Sequence, residues 1–372
     1  MEINFLKSFT LACGLAVLLS ACTGGTKNTT VTDSTTTDST LAAALKPAGP
    51  APEWGKTIKP EMQVVIEKLS SYGDKPLETL SAADARKNHT PTDAVMDLVK
   101  QNNIAVPAPK VDTMGKDIDV TGGKIHLRIY TPKEGNGPYP LIVYYHGGGF
   151  AIANLDVYNA SAQALAEQVG AIVVSVAYRL APENKFPTAH NDAFTAYEWA
   201  VRNAVDLKAD PAKIAVAGES AGGNLAANVS IMARDKHIML PVHEVLIYPI
   251  AQADINTESY KMYQNAKPLN KAMMGWFNEQ YLNTMIEAQD PKISLINANL
   301  KGLPSTTIIT AEIDPLHDDG IMLADKLKTA GVKMNIKNYE GVTHEFFGMA
   351  LLVPEAKAAQ AYAADQLKAA FK

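Results

Sequence analysis

The stretch Gly218-Glu219-Ser220-Ala221-Gly222 sets one hydroxyl among small residues. The apolar run Lys213-Ile214-Ala215-Val216-Ala217 precedes it, and the helix-prone Asn224-Leu225-Ala226-Ala227-Asn228-Val229 follows. This pattern reads as a strand, a sharp turn and a helix with Ser220 at the apex. The flanking residues must be small because the backbone of such a turn is strained and crowded. A serine at a helix N-terminus also has backbone N–H groups and the positive end of the helix dipole beside it, both of which favour developing negative charge. The chemistry is that of a nucleophilic serine. A chain of this length would hold about 0.1 such pentapeptides by chance, and a glycine-rich turn capped by serine is the plain alternative.

Three further stretches supply what that serine would need. His146-Gly147-Gly148-Gly149-Phe150 follows the strand-like Leu141-Ile142-Val143-Tyr144-Tyr145, and its glycines leave backbone N–H groups uncovered. Gly147 and Gly148, with Ala221, are the expected oxyanion-hole donors; a tight turn without catalytic purpose is the alternative. His146 reads as a structural hydrogen-bonding residue that organises the loop, not as a base. Past the strand-like Thr306 to Thr310, the run Ala311-Glu312-Ile313-Asp314-Pro315-Leu316-His317-Asp318-Asp319-Gly320 offers several carboxylates. A serine-histidine pair needs one buried acid to fix the tautomer and stabilise the imidazolium. Asp314 is preferred because it falls first past the strand, with Pro315 fixing the turn. Asp318 is the runner-up, and Glu312 and Asp319 read as solvated or structural. Near the end, Tyr339-Glu340-Gly341-Val342-Thr343-His344-Glu345 puts His344 on a loop after the last strand. From there it could act first as general base and then as general acid. The histidines at 89, 126, 190, 237, 243 and 317 show no comparable placement or metal-ligand spacing, so no metal or cofactor is implied.

These residues need a scaffold. Strand-like runs at Lys124–Tyr130, Leu141–Tyr145, Ala171–Val176, Ile214–Val216, Glu244–Tyr248, Thr306–Thr310 and Lys333–Lys337 alternate with helical segments such as Ser161–Val169 and Ala189–Val205. The alternation predicts an α/β fold with a mostly parallel sheet flanked by helices and opening on an antiparallel hairpin. Sites on such sheets lie beyond the carboxyl ends of the strands. Upstream, helical periodicity covers Glu61–Leu69 and Thr92–Val99, the latter with a Thr90-Pro91 start, and a short helix over Leu80–Arg86 takes Ser81 as N-cap. This segment is either a cap over the site or a packing layer.

With 372 residues, 47% hydrophobic and 20% charged, the chain is long enough for one large core, and a net charge of −5 without a basic patch argues against a nucleic-acid partner. Met1 to Ala21 has Lys7 and an apolar run from Leu11 to Leu19, as in a signal peptide. Leu19-Ser20-Ala21-Cys22 resembles the lipobox of bacterial lipoproteins, which implies lipidation of Cys22 and membrane association; an ordinary signal peptide cut at the small residues is the alternative. The only other cysteine is Cys13, so the folded part has no thiol or disulfide. In the Gram-negative lipoproteins this pattern resembles, an aspartate after the cysteine goes with inner-membrane retention; Thr23 in its place implies, by that resemblance, an outer-membrane destination in the cell envelope if the host has an outer membrane. The Thr/Ser/Gly-rich stretch that follows reads as a flexible tether. The expected organisation is a signal peptide over 1–21, a tether over 22–45, a helical segment over 46–115 and a catalytic domain over 116–372.

The set His146-Gly147-Gly148-Gly149-Phe150, Tyr178-Arg179-Leu180-Ala181-Pro182-Glu183, Gly218 to Ala226, Asp314-Pro315-Leu316 and His344 resembles the motifs of the hormone-sensitive-lipase-like (family IV) carboxylesterases of the α/β-hydrolase superfamily. The order Ser220, Asp314, His344 is that superfamily's order of nucleophile, acid and base. The resemblance implies an α/β-hydrolase fold with a mostly parallel, eight-stranded sheet, a serine carboxylesterase cleaving short- to medium-chain acyl esters through an acyl-enzyme, and a helical cap over 46–115, to which the Met273-Met274-Gly275-Trp276-Phe277 insertion and Tyr281 would add. Glu219 stands where relatives often carry Asp, and Glu345 where a small residue is common; neither is given a catalytic role. A serine peptidase of prolyl-oligopeptidase type and a non-catalytic ligand-binding protein are the alternative functions. Oligomeric state has no signature in the sequence.

Overall fold

The computed structural model describes residues 45–372; the expected signal peptide, Cys22 and the expected tether as far as residue 44 lie outside them. Among the described residues three α-helices come first: α1 (Pro60–Ser71), α2 (Ala82–Ala85) and α3 (Pro91–Gln101). Their starts are local chemistry. Proline opens α1 and α3, where its missing N–H costs nothing, and Ser81 accepts from the Asp84 N–H. Thr90 and Asp93 form a reciprocal capping box. The Tyr72 hydroxyl and the Lys68 ammonium both reach Asp97, at 2.9 Å each, and so tie α1 to α3.

The sheet and its helices follow as β1 (Val111–Val120), β2 (Gly123–Pro132), β3 (Tyr139–Tyr145), α4 (Asn159–Val169), β4 (Ile172–Ala177), α5 (Thr188–Arg202), β5 (Ala209–Glu219) and α6 (Ala221–Asp235). Then come β6 (His243–Ile247), α7 (Glu258–Met262), α8 (Lys271–Tyr281), β7 (Ser305–Ile313), α9 (His317–Thr329), β8 (Met334–Thr343) and α10 (Pro354–Ala370). The described strands make one eight-stranded sheet in the order β1-β2-β4-β3-β5-β6-β7-β8. The pairs β1–β2 and β2–β4 are antiparallel and the rest parallel. β1 begins at Val111, inside the segment that the sequence reading assigned to helices; its alternation of Asp, Thr, Lys and apolar residues is that of an exposed edge strand. The central strands are buried on both faces, which is why they read as unbroken apolar runs. Leu141, Val143 and Tyr145 of β3 pack with α5, α6 and α9. Ile142 and Tyr144 pack on the other face with α1, α3, α4 and α10.

Parallel register delivers the chemistry-bearing residues to one edge. Tyr145 of β3 pairs with Gly218 of β5, so the glycine loop and the serine turn leave the sheet side by side. Ile313 of β7 pairs with Thr343 of β8, which makes Asp314 and His344 the next residue on each strand. That last pairing depends on a bulge, because from Ala311–Tyr339 to Ile313–Thr343 β8 advances four residues while β7 advances two. Gly341 sits in the bulge at φ 73° and its N–H donates to Glu312 at 2.7 Å. Without the bulge Asp314 would lie level with Val342, and His344 would run two residues past it.

Candidate active site

Ser220 occupies the apex between β5 and α6 at φ 57°, ψ −118°, outside the usual regions for a non-glycine residue. Such a conformation costs about 1–3 kcal/mol and persists only where neighbours hold it. Here the Ser220 N–H donates to Ile247 O at 2.9 Å, while its carbonyl accepts from Asn224 at 3.1 Å and Ile250 at 3.2 Å. Crowding explains the small neighbours: a Cβ on Gly222 would run into the Tyr145 carbonyl oxygen. Asn224 is itself fixed, with its amide donating to Ile250 O and Ile293 O and its oxygen 3.0 Å from His190 Nε2.

The Ser220 Oγ lies 3.0 Å from His344 Nε2, and His344 Nδ1 lies 2.7 Å from Asp314 Oδ2. All three residues are buried. Asp314 Oδ1 accepts from the Leu316 N–H at 2.8 Å, so the carboxylate is anchored on both oxygens. Burial alone would depress the imidazole, but the charge and hydrogen bond of Asp314, followed by Glu345 and Glu219, outweigh it and hold His344 above its ordinary value of 6.5. Of the acids weighed from the sequence, Asp314 is therefore the one beside His344. Asp318 turns away to accept from the Ser259 N–H, and Asp319 is buried against the N–H groups of Ala251 and Gln252. Glu312 is structural: it accepts from Gly341 and from Thr57 and so pins the bulge.

The glycine loop stands across from this relay. Among the described residues, the N–H groups of Gly147 and Gly148 donate to no backbone carbonyl. The conformation is maintained from behind: the Tyr178 hydroxyl donates to His146 O at 2.8 Å, and the His146 ring stacks on Tyr178 with centroids 4.3 Å apart. Burial pushes the His146 imidazole down to about 4, so it is neutral at ordinary pH, in keeping with a structural role. The rest of the Tyr178 motif is also mechanical. Arg179 grips Asp192 of α5 at 2.6 and 2.9 Å, and Glu183 receives Arg86, whose guanidinium also donates to Ala151 O and Ala181 O. Glu219 is buried beneath Ser220, where the hydroxyls of Tyr144 and Tyr248 both donate to it.

Above Ser220 and His344 lies a cavity of about 440 Å³, within the range of small-molecule pockets. Gly148, Ile152, Ala153 and Val157 form one wall. Leu69, Leu77, Arg86 and His89 line it from the N-terminal helical segment, and Met273, Met274 and Phe277 from α8. Trp276 and Tyr281 face elsewhere: the Trp276 indole donates to Leu80 O, and the Tyr281 hydroxyl meets His190. Sequence reasoning missed Arg86, Asp192, Tyr158 and the bulge. Only the bulge had a local signal, an isolated glycine in a strand pattern.

A family model described as the alpha/beta hydrolase fold matches residues 142–348. The carboxylesterase NlhH of Mycobacterium tuberculosis is 38% identical over 253 residues, 66% of this chain and 78% of its own length. An ethyl acetate hydrolase of Pseudomonas putida is 32% identical over 302 residues, 79% of this chain and 92% of its own. Among solved structures, a thermostable esterase from Pseudomonas putida ECU1011 superposes with a TM-score of 0.78 at 31% identity, covering 87% of this chain and 99% of that one.

Proposed function

The chain belongs to the α/β-hydrolase family and is a family IV-like serine carboxylesterase, and on that footing we propose that Ser220 is its nucleophile, His344 its general base and Asp314 the acid that orients His344. The observation that carries this assignment is the unbroken Ser220–His344–Asp314 relay at the floor of the cavity. Ser220 Oγ attacks the ester carbonyl carbon while His344 Nε2 takes its proton. Negative charge gathers on the carbonyl oxygen, where the N–H groups of Gly147, Gly148 and Ala221 receive it. The imidazolium, steadied by Asp314, then protonates the departing alcohol. Water attacks the acyl-enzyme with His344 again accepting the proton, and the acid leaves as Ser220 recovers its hydrogen. Peptidase and non-catalytic binding readings are not favoured, since the relatives are ester hydrolases.

The preferred substrates in this proposal are short- to medium-chain acyl esters. A 440 Å³ cavity with an apolar wall suits a small ester, and a relative carries the name ethyl acetate hydrolase. The test is hydrolysis of p-nitrophenyl esters from acetate to palmitate by the wild type and Ser220→Ala. Activity should peak below the long chains and vanish in the variant. A palmitate optimum would overturn the chain-length claim, and an active Ser220→Ala the nucleophile. The proposal extends to the N-terminus: a signal peptide over 1–21, lipidation of Cys22 and tethering of the esterase to a cell-envelope membrane, the outer membrane where the host has one. Thr23 and the cysteine-free remainder support this. Cys22→Ser should leave the membrane fraction without losing esterase activity; a variant that stays membrane-bound would contradict the anchor.

A further inference from the structure

We propose that Glu345 is a positioning residue that, through Tyr158, ties the loop bearing His344 to the loop bearing Gly147, so that the base and the oxyanion donors hold one relative geometry. The proposal rests on Ser220 being the nucleophile and His344 its base. Glu345 sits at φ 65°, ψ 8°, in the left-handed region. Glycine would take this conformation without strain, so the backbone gains nothing from glutamate and any benefit must come from the side chain. Its Oε1 accepts from the Tyr158 hydroxyl at 2.8 Å. Tyr158 is buried at the start of α4, and its hydroxyl fills the place where a side chain on Gly147 would stand. Its ring lies over His146 with centroids 5.8 Å apart. The glycine loop is thus held between Tyr158 on one side and Tyr178 on the other. Only the Glu345 contact connects the Tyr158 hydroxyl to a hydrogen-bond acceptor among the described residues.

The carboxylate also acts by its charge. The groups facing His344 are Asp314 after β7, Glu219 at the end of β5, the Tyr248 ring after β6 at 4.5 Å between centroids, and Glu345 on its own loop. Asp314 makes the direct bond; Glu345 and Glu219 add negative charge that favours the imidazolium. A glutamate here therefore serves geometry through its hydrogen bond and basicity through its charge. Substitution can separate the two.

The experiment compares Glu345→Gln, Glu345→Gly, Tyr158→Phe and Ser220→Ala on p-nitrophenyl acetate, reading kcat, KM and the pH profile of kcat/KM. Glycine suits the backbone at 345 and phenylalanine keeps the ring at 158, so these variants should fold, which thermal melts would check. Glu345→Gly and Tyr158→Phe should lose roughly tenfold in kcat with KM within about twofold, as expected when reacting groups are misplaced. Glu345→Gln retains an acceptor for Tyr158 and should keep kcat within about twofold, but its acid limb should move to lower pH. Wild-type kcat in both Glu345→Gly and Tyr158→Phe, or an unmoved acid limb in Glu345→Gln, would overturn the proposal while an inactive Ser220→Ala leaves the nucleophile standing. An active Ser220→Ala overturns the nucleophile assignment and this proposal with it.

Discussion

His344 must be unprotonated to accept the Ser220 proton, so the acidic limb of kcat/KM reports its ionisation. The neighbouring carboxylates hold the imidazole above 6.5, and the sign follows directly: protonation sets in at higher pH than for a free histidine, and activity falls as pH drops through that raised value. Asp314→Asn removes the main source of the rise and the acceptor for Nδ1–H. Its kcat should fall on the order of 10⁴-fold, with the wrong tautomer favoured, and any residual limb should lie at lower pH. An Asp314→Asn enzyme within tenfold of wild type would place the acid elsewhere, and Asp318 and Asp319 are already committed to Ser259 and to Ala251 and Gln252. At this scale the sequence was readable wherever a motif carried chemistry in its own residue types. The serine turn, the glycine loop and the acid each follow a strand with an apolar or β-branched run, and the histidine follows one whose start alternates apolar and polar residues. Tyr158 and Arg86 were not readable, because their roles depend on partners at Glu345 and Glu183, 187 and 97 residues away.

At the scale of elements, the site depends on where strands end. β3 and β5 shift register between Tyr139 and Leu141, at the end far from the site, and then run regularly to Tyr145–Gly218, whereas β8 needs its bulge beside the site to bring His344 level with Asp314. A Cβ on Gly341 would strain a residue at φ 73° and approach the Thr57 carbonyl at 2.9 Å. Gly341→Ala should therefore lose about 1–2 kcal/mol of stability and, by shifting His344, a larger share of kcat than of substrate binding. Unchanged kcat in a folded Gly341→Ala protein would show that the bulge does not set the relay. Beside the apolar packing of α1 and α3 on the sheet, Arg86 ties the helical segment to the rest of the protein through Glu183 and the carbonyls of Ala151 and Ala181. The ion pair is partly solvated and worth little by itself, so most of the cost of Arg86→Met should come from the two carbonyls, about 1 kcal/mol each. Because Arg86 also lines the cavity, KM should rise several-fold with kcat less affected; a KM equal to wild type would show that this clamp does not shape the pocket. Periodicity located α1 to α3, with Ser81 and Thr90 marking the starts of α2 and α3, yet could not say which face met the sheet. The edge strand β1 escaped because polar alternation resembles loop.

For the molecule as a whole, two apolar layers enclose the sheet, and the cavity opens where the strand ends meet helices from the N-terminal segment and from α8. A sequence of this kind predicts an α/β architecture because its central strands are apolar runs separated by helical segments. It leaves cavity depth unread, because depth is set by side chains from segments about 200 residues apart, such as Leu69 and Met273. The central claim is that Ser220 forms the covalent intermediate. The most direct measurement treats the full chain with an alkyl fluorophosphonate and locates the adduct by mass spectrometry. One phosphonyl group should appear on Ser220, in step with loss of esterase activity, and none on Ser220→Ala. Inactivation with the label on another residue, or esterase turnover by Ser220→Ala at the wild-type rate, would contradict the account.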